Sequence, residues 1–248
     1  MLIIGSSLLD SFPGVIFGMS TKIGLNRKAP FYFNMSLSVG DNPDIVKENR
    51  TAFFTKLGLN PVKVAIQKQV HSDVVTVIDS EKFNVGESDA MITNQKGIGL
   101  AISTADCAPI FVYDSKNKVI AAVHSGWKGT QKQIVLKTLE VMRERFGSNP
   151  TDLFAYIGPS ISQKNYEVGP EFAEFFDSEY LSEQNGKLYL DVKKANFDLL
   201  VKFGLDTSKI QVSNMCSYAE KNILHSYRRD GKKSGRAFAV IALKENQE

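Results

Sequence analysis

The sequence predicts an α+β fold, a mixed β-sheet with helices packed on it, and three observations predict it. Apolar runs of strand length alternate with amphipathic segments of helix length. Several of those runs are continuously apolar, as strands covered on both faces are. Three of them, between Gly99 and His124, are joined by links too short for a parallel crossover, so antiparallel neighbours are expected there.

The elements follow in order. Asn42 is placed as the N-cap of a first helix, with Pro43 at its first position, where a missing N–H costs nothing. Ile45, Val46, Asn49, Phe53 and Leu57 continue it at helical spacing, and Gly58 suits the left-handed position that ends it. Strands are expected over residues 62–66, 74–78, 99–103, 109–113 and 119–124, the last two joined by the turn-like Asp114-Ser-Lys-Asn-Lys118. Thr130-Gln-Lys-Gln133 reads as a capping box opening a second helix, whose apolar face is Ile134, Val135, Leu139, Met142 and Phe146 and whose stop is Gly147. A strand over 154–157 follows, then a third helix from about Asp191 to Phe203 closed by Gly204, and strands over 210–213 and 237–243. No repeat or composition shift marks a linker, so residues 1–248 are expected to form one domain.

Composition narrows the function classes. With 43% apolar and 10% aromatic residues in 248, the chain can bury a core without disulfide or metal staples. A net charge of +3 is too small to imply a nucleic-acid or membrane partner, and no run approaches the roughly 20 apolar residues that span a bilayer. Cys107 and Cys216 cannot make a multi-bridge scaffold, and free thiols fit a reducing compartment. The apolar start lacks a basic leader region. A cytoplasmic protein is expected.

Only three histidines are present, so each can be weighed. His71 lies between two expected strands, His124 ends a buried strand, and Cys107 stands at a strand start. All three sit at strand edges beside small residues, where side chains converge on a cleft. Two imidazoles and a thiolate could hold zinc with a fourth position open. Their separations of 36 and 17 residues fit no short metal motif, and ordinary buried His and Cys would look the same. Ser125-Gly-Trp-Lys-Gly129, leading into a helix, reads either as an anion-binding helix start or as a tight turn. The run from Arg228 to Arg236 carries five basic residues against one acidic and is a candidate phosphate contact or a solvated loop. His225 has no suggestive partner and reads as structural.

Six ordered motifs then carry a resemblance: Gln67-x-Gln-x-His71, Ser88-Asp-Ala90, Ser103-Thr-Ala-Asp-Cys-Ala-Pro109, Ala121-Ala-Val-His-Ser-Gly-Trp-Lys-Gly129, Ile157-Gly-Pro-Ser-Ile161, and Ser226-Tyr-Arg-Arg-Asp-Gly231 with Gly235-Arg236. Together they resemble the YfiH-like family, labelled a laccase-domain or polyphenol-oxidase family and also described as purine nucleoside phosphorylases, over nearly the whole chain. The resemblance implies an α+β sandwich related to Cys–His hydrolases, with a catalytic zinc on His71, Cys107 and His124; copper is the other metal to weigh. It implies phosphorolysis of adenosine, inosine, guanosine and methylthioadenosine to base plus ribose 1-phosphate, with some adenosine deamination. Some relatives are described instead as peptidoglycan-editing factors acting on muropeptide precursors. Multicopper oxidation needs more imidazoles than three histidines supply.

The chain departs from the family pattern at Ser125 and over Leu25-Asn-Arg27, and at two further positions, Lys22 and Lys128, lysines stand where arginines are usual, which keeps the charge and loses the bidentate fork. The expected reading is therefore a zinc-dependent nucleoside enzyme, with phosphate held by Lys22, Arg228 or Arg229. Asp73, Asp89 and Asp106 are the nearest acidic candidates for proton transfer, and the His-x-Glu and Pro-Cys-x-x-Cys deaminase signature is absent. The competing expectations are a metal-free hydrolase or amidase with Cys107 as nucleophile and His124 or His71 as base, and a nucleic-acid module using residues 228–236.

Overall fold

The computed structural model describes residues 1–80 and 85–245. Among them, fourteen strands form three sheets. The first runs β1 (Ile3–Ile4), β2 (Val15–Ser20), β14 (Ala237–Leu243), β6 (Gly99–Thr104), β3 (Val64–Ile66), and only its β3–β6 pair is parallel. The second runs β13 (Ile210–Val212), β9 (Leu153–Ile157), β7 (Ala108–Asp114), β8 (Val119–Ser125), β5 (Ala90–Thr93), β4 (Val75–Val77), antiparallel in its centre and parallel at both edges. A small third sheet holds β10 (Glu167–Val168), β12 (Lys187–Leu190) and β11 (Leu181–Gln184). The fold is mixed α+β, as expected.

The two larger sheets face each other, and period-two alternation decides which side chains meet. Phe17, Met19, Leu100, Ile102, Ala239 and Ile241 of one sheet pack against Phe111, Tyr113, Ile120, Ala122 and Tyr156 of the other. The intervening residues point outward and are also covered. Ile110, Val112, Ala121 and Val123 lie under α4 (Ile134–Phe146) and α5 (Val192–Phe203). Phe238, Val240 and Ala242 lie under Phe53 and Phe54 of α2 (Pro43–Lys56). This four-layer order is why the central strands read as unbroken apolar runs: they have no wet face. Each buried Ile, Phe or Leu contributes about 1.5–3 kcal/mol.

The ends expected of α2 and α5 form, and Asp191 proves to be the N-cap of the second of them. The Asn42 side chain accepts from Asp44 N and Ile45 N, Pro43 opens α2, and Gly58 takes φ +76°. Asp191 accepts from Lys194 N, and Gly204 closes α5 at φ +111°.

Two expectations are corrected. β6 and β7 are not sheet neighbours: residues 105–107 turn the chain from one sheet into the other, and of the two short links only 114–119 is a hairpin. A three-residue link satisfies a sandwich corner as well as a hairpin, and Asp106 makes the corner at φ +100°. Nor does Thr130 cap α4. It lies inside the short α3 (Trp127–Gln131), its hydroxyl donating to Gly126 O at 3.0 Å, and Gln133 at φ +58° breaks the chain before α4 starts without a side-chain cap.

Two short helices, α1 (Ser7–Asp10) and α6 (Tyr227–Asp230), complete the set. Among the described residues, no helix is long and apolar enough to cross a membrane.

Candidate functional site

Three side chains distant in sequence meet at one end of the sandwich. The ligand atoms of His71, Cys107 and His124 all lie within 4.8 Å of one another. His124 is buried near the end of β8, its ring edge-on to that of His71 with centroids 4.9 Å apart. Cys107 follows the corner between the sheets and is half-buried, its backbone carbonyl accepting from Thr104 Oγ1 at 2.6 Å. His71 stands exposed on the loop between β3 and β4 at φ +58°, with Nε2 3.8 Å from Cys107 Sγ.

Asp89 holds this geometry. It is fully buried and accepts from the backbone N–H groups of Val70, His71 and Ser72 at 3.2, 3.1 and 2.6 Å and from Ser72 Oγ at 2.7 Å. Its Oδ1 lies 2.8 Å from His124 Nδ1, and its backbone carbonyl accepts from His124 N. The His71 loop is thereby wrapped on the carboxylate that also orients His124. Burial acts to raise the Asp89 pKa; hydrogen bonds from His124 and Ser72 outweigh it and bring it to about 2.

The donor set suits a metal ion. Two imidazoles and a soft sulfur are ligands for zinc or copper. A 3.8 Å separation of Sγ and Nε2 is about what two donors 2.0–2.3 Å from one ion would show. With Nδ1 turned to Asp89, His124 leaves Nε2 for the ion, in the carboxylate–histidine pattern that metal ligands commonly use. Without an ion, burial disfavours charge on Cys107 and His124, but their mutual attraction prevails. It holds the thiol below and the imidazole above their ordinary ranges.

Gly126 supplies clearance. A Cβ at this position would fall 2.8 Å from Cys107 Sγ and 3.2 Å from His71 Cδ2. Its backbone, φ −79° and ψ −179°, suits alanine equally well. Gly126→Ala is therefore expected to fold normally while lowering metal affinity by roughly tenfold or more, the scale of displaced ligand geometry. A chromophoric chelator competition reads this, and unchanged affinity would show that the methyl finds room.

The cluster opens into a cavity of about 360 Å³. His71 and Cys107 line one part of it, with Asp106, Trp127, Tyr166, Tyr227 and Arg228 among the other walls. A wider groove of about 790 Å³ runs along α2 past Leu25 and Thr55 and has no histidine, cysteine or aromatic residue in its lining.

The basic candidates separate. Arg228 reaches the cavity; its backbone N–H donates to Asp106 Oδ2 at 2.6 Å, its Nη1 to Glu167 O at 2.8 Å, and its guanidinium lies over Tyr166. Arg229 does not line the cavity: its guanidinium donates to the carbonyls of Ser217, Tyr218 and Leu224 and to the Asp230 carboxylate. Lys22 does not line it either. It is buried, donates to Lys221 O at 3.1 Å, and sits 4.1 Å over the Tyr32 ring. Burial, then the Arg229 charge, lowers its pKa against the pull of Asp230.

The acidic candidates separate too. Asp73 pairs with Lys132 and Lys137 away from the cavity lining. Asp106 lines the cavity with both oxygens engaged, by Ser217 Oγ at 2.6 Å and Arg228 N. His225 is buried outside the lining, with Nε2 unpartnered, and burial followed by the Lys22 charge lowers its pKa to about 3.

Sequence reading missed the aromatic walls. Tyr166 lies outside every motif, and Trp127 and Tyr227 entered only as members of motifs. The signal for Trp127 was its place between Gly126 and Gly129 directly after His124.

A mixed sandwich with a His–Cys–His set at the corner where the chain changes sheets, beside a partly open cavity, defines an α+β protein with a candidate metal centre. Residues 16–244 match the family described as multi-copper polyphenol oxidoreductase laccase, and the chain belongs to that family. It is 33% identical over 258 residues to a purine nucleoside phosphorylase of Bacteroides thetaiotaomicron, covering 97% of this chain and 96% of that one. It is 34% identical over 236 residues to adenosine deaminase RL5 of an unknown prokaryotic organism, covering 88% and 89%. A crystal structure of the Bacillus licheniformis hypothetical protein YfiH superposes with a TM-score of 0.88 at 29% identity over 93% of each chain.

Proposed function

We propose that this chain is an enzyme of purine metabolism that splits purine nucleosides with phosphate. Its products are the free base and ribose 1-phosphate, from adenosine, inosine, guanosine and methylthioadenosine, and adenosine deamination is a side activity. The observation that carries the reading is the convergence of His71, Cys107 and His124 on a cavity that also presents aromatic faces and the Arg228 cation. Relatives named purine nucleoside phosphorylase and adenosine deaminase along nearly the whole chain support it.

The residues divide the work. His71, Cys107 and His124 would hold a zinc ion, with copper the alternative. When bound, such an ion supplies Lewis-acid polarisation of a substrate oxygen. Asp89 fixes the His124 ring and the His71 loop, so the donors need not reorganise. Arg228 is placed to attract an anion, and it is the one of the three basic candidates on the cavity wall. Lys22 and Arg229 are proposed to act on phosphate only through the packing of the segment that carries Arg228. Trp127, Tyr166 and Tyr227 offer flat apolar surface to a purine ring. The three histidines of the chain, one of them outside this cluster, leave too few imidazoles for a multicopper centre.

Protein purified without chelator is expected to carry about one zinc per chain and to release base from inosine only when phosphate is present. No base release with or without phosphate would remove the substrate assignment. A second reading has its own geometric support, because Cys107, His124 and Asp89 also compose a nucleophile–base–orienting set, with His71 on the other side of the thiol, as an amidase acting on muropeptide precursors would need. Full activity in chelator, with rapid and selective alkylation of Cys107, would favour it.

A further inference from the structure

Resting on the nucleoside reading above, we infer that the Tyr166 hydroxyl is the group that hydrogen-bonds the purine base in the cavity. Phosphorolysis joins a phosphate oxygen to C1′ as the C1′–N bond breaks. The bonding pair leaves with the base, and the phosphate proton ends on a base nitrogen, so charge builds on the purine. A neutral donor aimed at the base favours that charge.

The polar groups of the cavity leave few candidates for this task. Asp106 has both oxygens engaged, and His71 and Cys107 belong to the metal set. Arg228 is a cation suited to the anionic partner, and Tyr227 is half exposed. Trp127 is held by a tilted contact with Phe172 and a stacked one with Phe175.

Tyr166 combines what the others do not: its hydroxyl is as free as that of Tyr227, but its ring is covered and its backbone is tied down. No hydrogen bond engages its hydroxyl among the described residues. The rest of the residue is fixed: its N–H donates to Gln163 O, its carbonyl accepts from Leu190 N, Arg228 covers its ring, and the cluster around Phe172 and Leu190 packs against it. Burial disfavours the phenolate more than Arg228 favours it, so the hydroxyl keeps its proton. A fixed phenol with an unused donor is preorganised for a ligand.

The test is Tyr166→Phe, which removes the oxygen and keeps the ring under Arg228. Trp127 is the single tryptophan and lines the cavity, so its fluorescence reports occupancy directly. Zinc-loaded variant is expected to bind hypoxanthine more weakly by roughly tenfold and to lose on the order of ten- to a hundredfold in inosine phosphorolysis, kcat falling more than KM rises. Zinc content and melting temperature are expected to match wild type. Binding and turnover within twofold of wild type would overturn the assignment, as would a loss traced to departed zinc or a lowered melting temperature. A wild type that neither binds hypoxanthine nor releases it from inosine would overturn the nucleoside reading, and this inference with it.

Discussion

His124→Ala is expected to strip the metal and to reduce base release at least about a thousandfold, the scale on which metal catalysis contributes. Two effects act together. The variant removes one of three donors, and it takes from the buried Asp89 Oδ1 one of its two partners, leaving only the His71 N–H. Elemental analysis should show zinc falling from about one per chain toward none, and a phosphate-dependent inosine assay should show the matching loss. Full metal occupancy in the variant would exclude His124 as a ligand and move the ion elsewhere.

The second large effect is expected at Asp89. Asp89→Ala abandons three backbone N–H donors of the His71 loop, the Ser72 hydroxyl and the His124 ring at once. Losing four part-buried bonds and one buried one together puts the cost at about 3–5 kcal/mol, or on the order of 10 °C in Tm for a chain of this size. Metal affinity should fall roughly ten- to a hundredfold as well, because His124 loses its orientation. The same carboxylate sets an acid limit. Its folded pKa of about 2 lies below the usual value, so its contribution of about 2 kcal/mol is present above pH ~4 and lost as pH falls through 2. Acid titrations followed by circular dichroism should therefore show the variant losing less stability than wild type between pH 4 and 2. Parallel curves would mean that Asp89 does not supply that linkage.

Much of the fold is legible because its signals are local. Asn42 with Pro43, Gly58, Asp191 and Gly204 each mark a helix end through their own backbone chemistry, and the structure uses every one. The strand at 237–243 is apolar throughout because α2 covers one face and the opposing sheet the other. Sheet membership is not local. Nothing in Ala105-Asp-Cys107 distinguishes a corner from a hairpin, so β6 and β7 read as partners when they lie in facing layers. Val15–Ser20 and Ala90–Thr93 went unread as strands, the first interrupted by Gly18 and the second only four residues long. The small third sheet is largely half-exposed and polar, which leaves no apolar run to notice.

The site divides along the same line. His71, Cys107 and His124 stood out through scarcity and through the ordered motifs. Asp73, Asp89 and Asp106 could not be ranked, since only folding shows that one is spent on surface lysines, one on the histidines and one on the backbone at Arg228. Tyr166 had no signal at all, because its neighbours in space come from elsewhere in the chain.

The positions of the donors carry a mechanical consequence. The polypeptide passes between the two large layers over residues 67–74 and again over 105–107, and each passage bears one donor, His71 and Cys107, while His124 belongs to a single layer. An ion gripped by all three would rivet the layers at the end where both passages run. Sliding of one layer on the other and opening of the coordination sphere then become one motion, so rigidity of the scaffold and readiness for chemistry would rise and fall together.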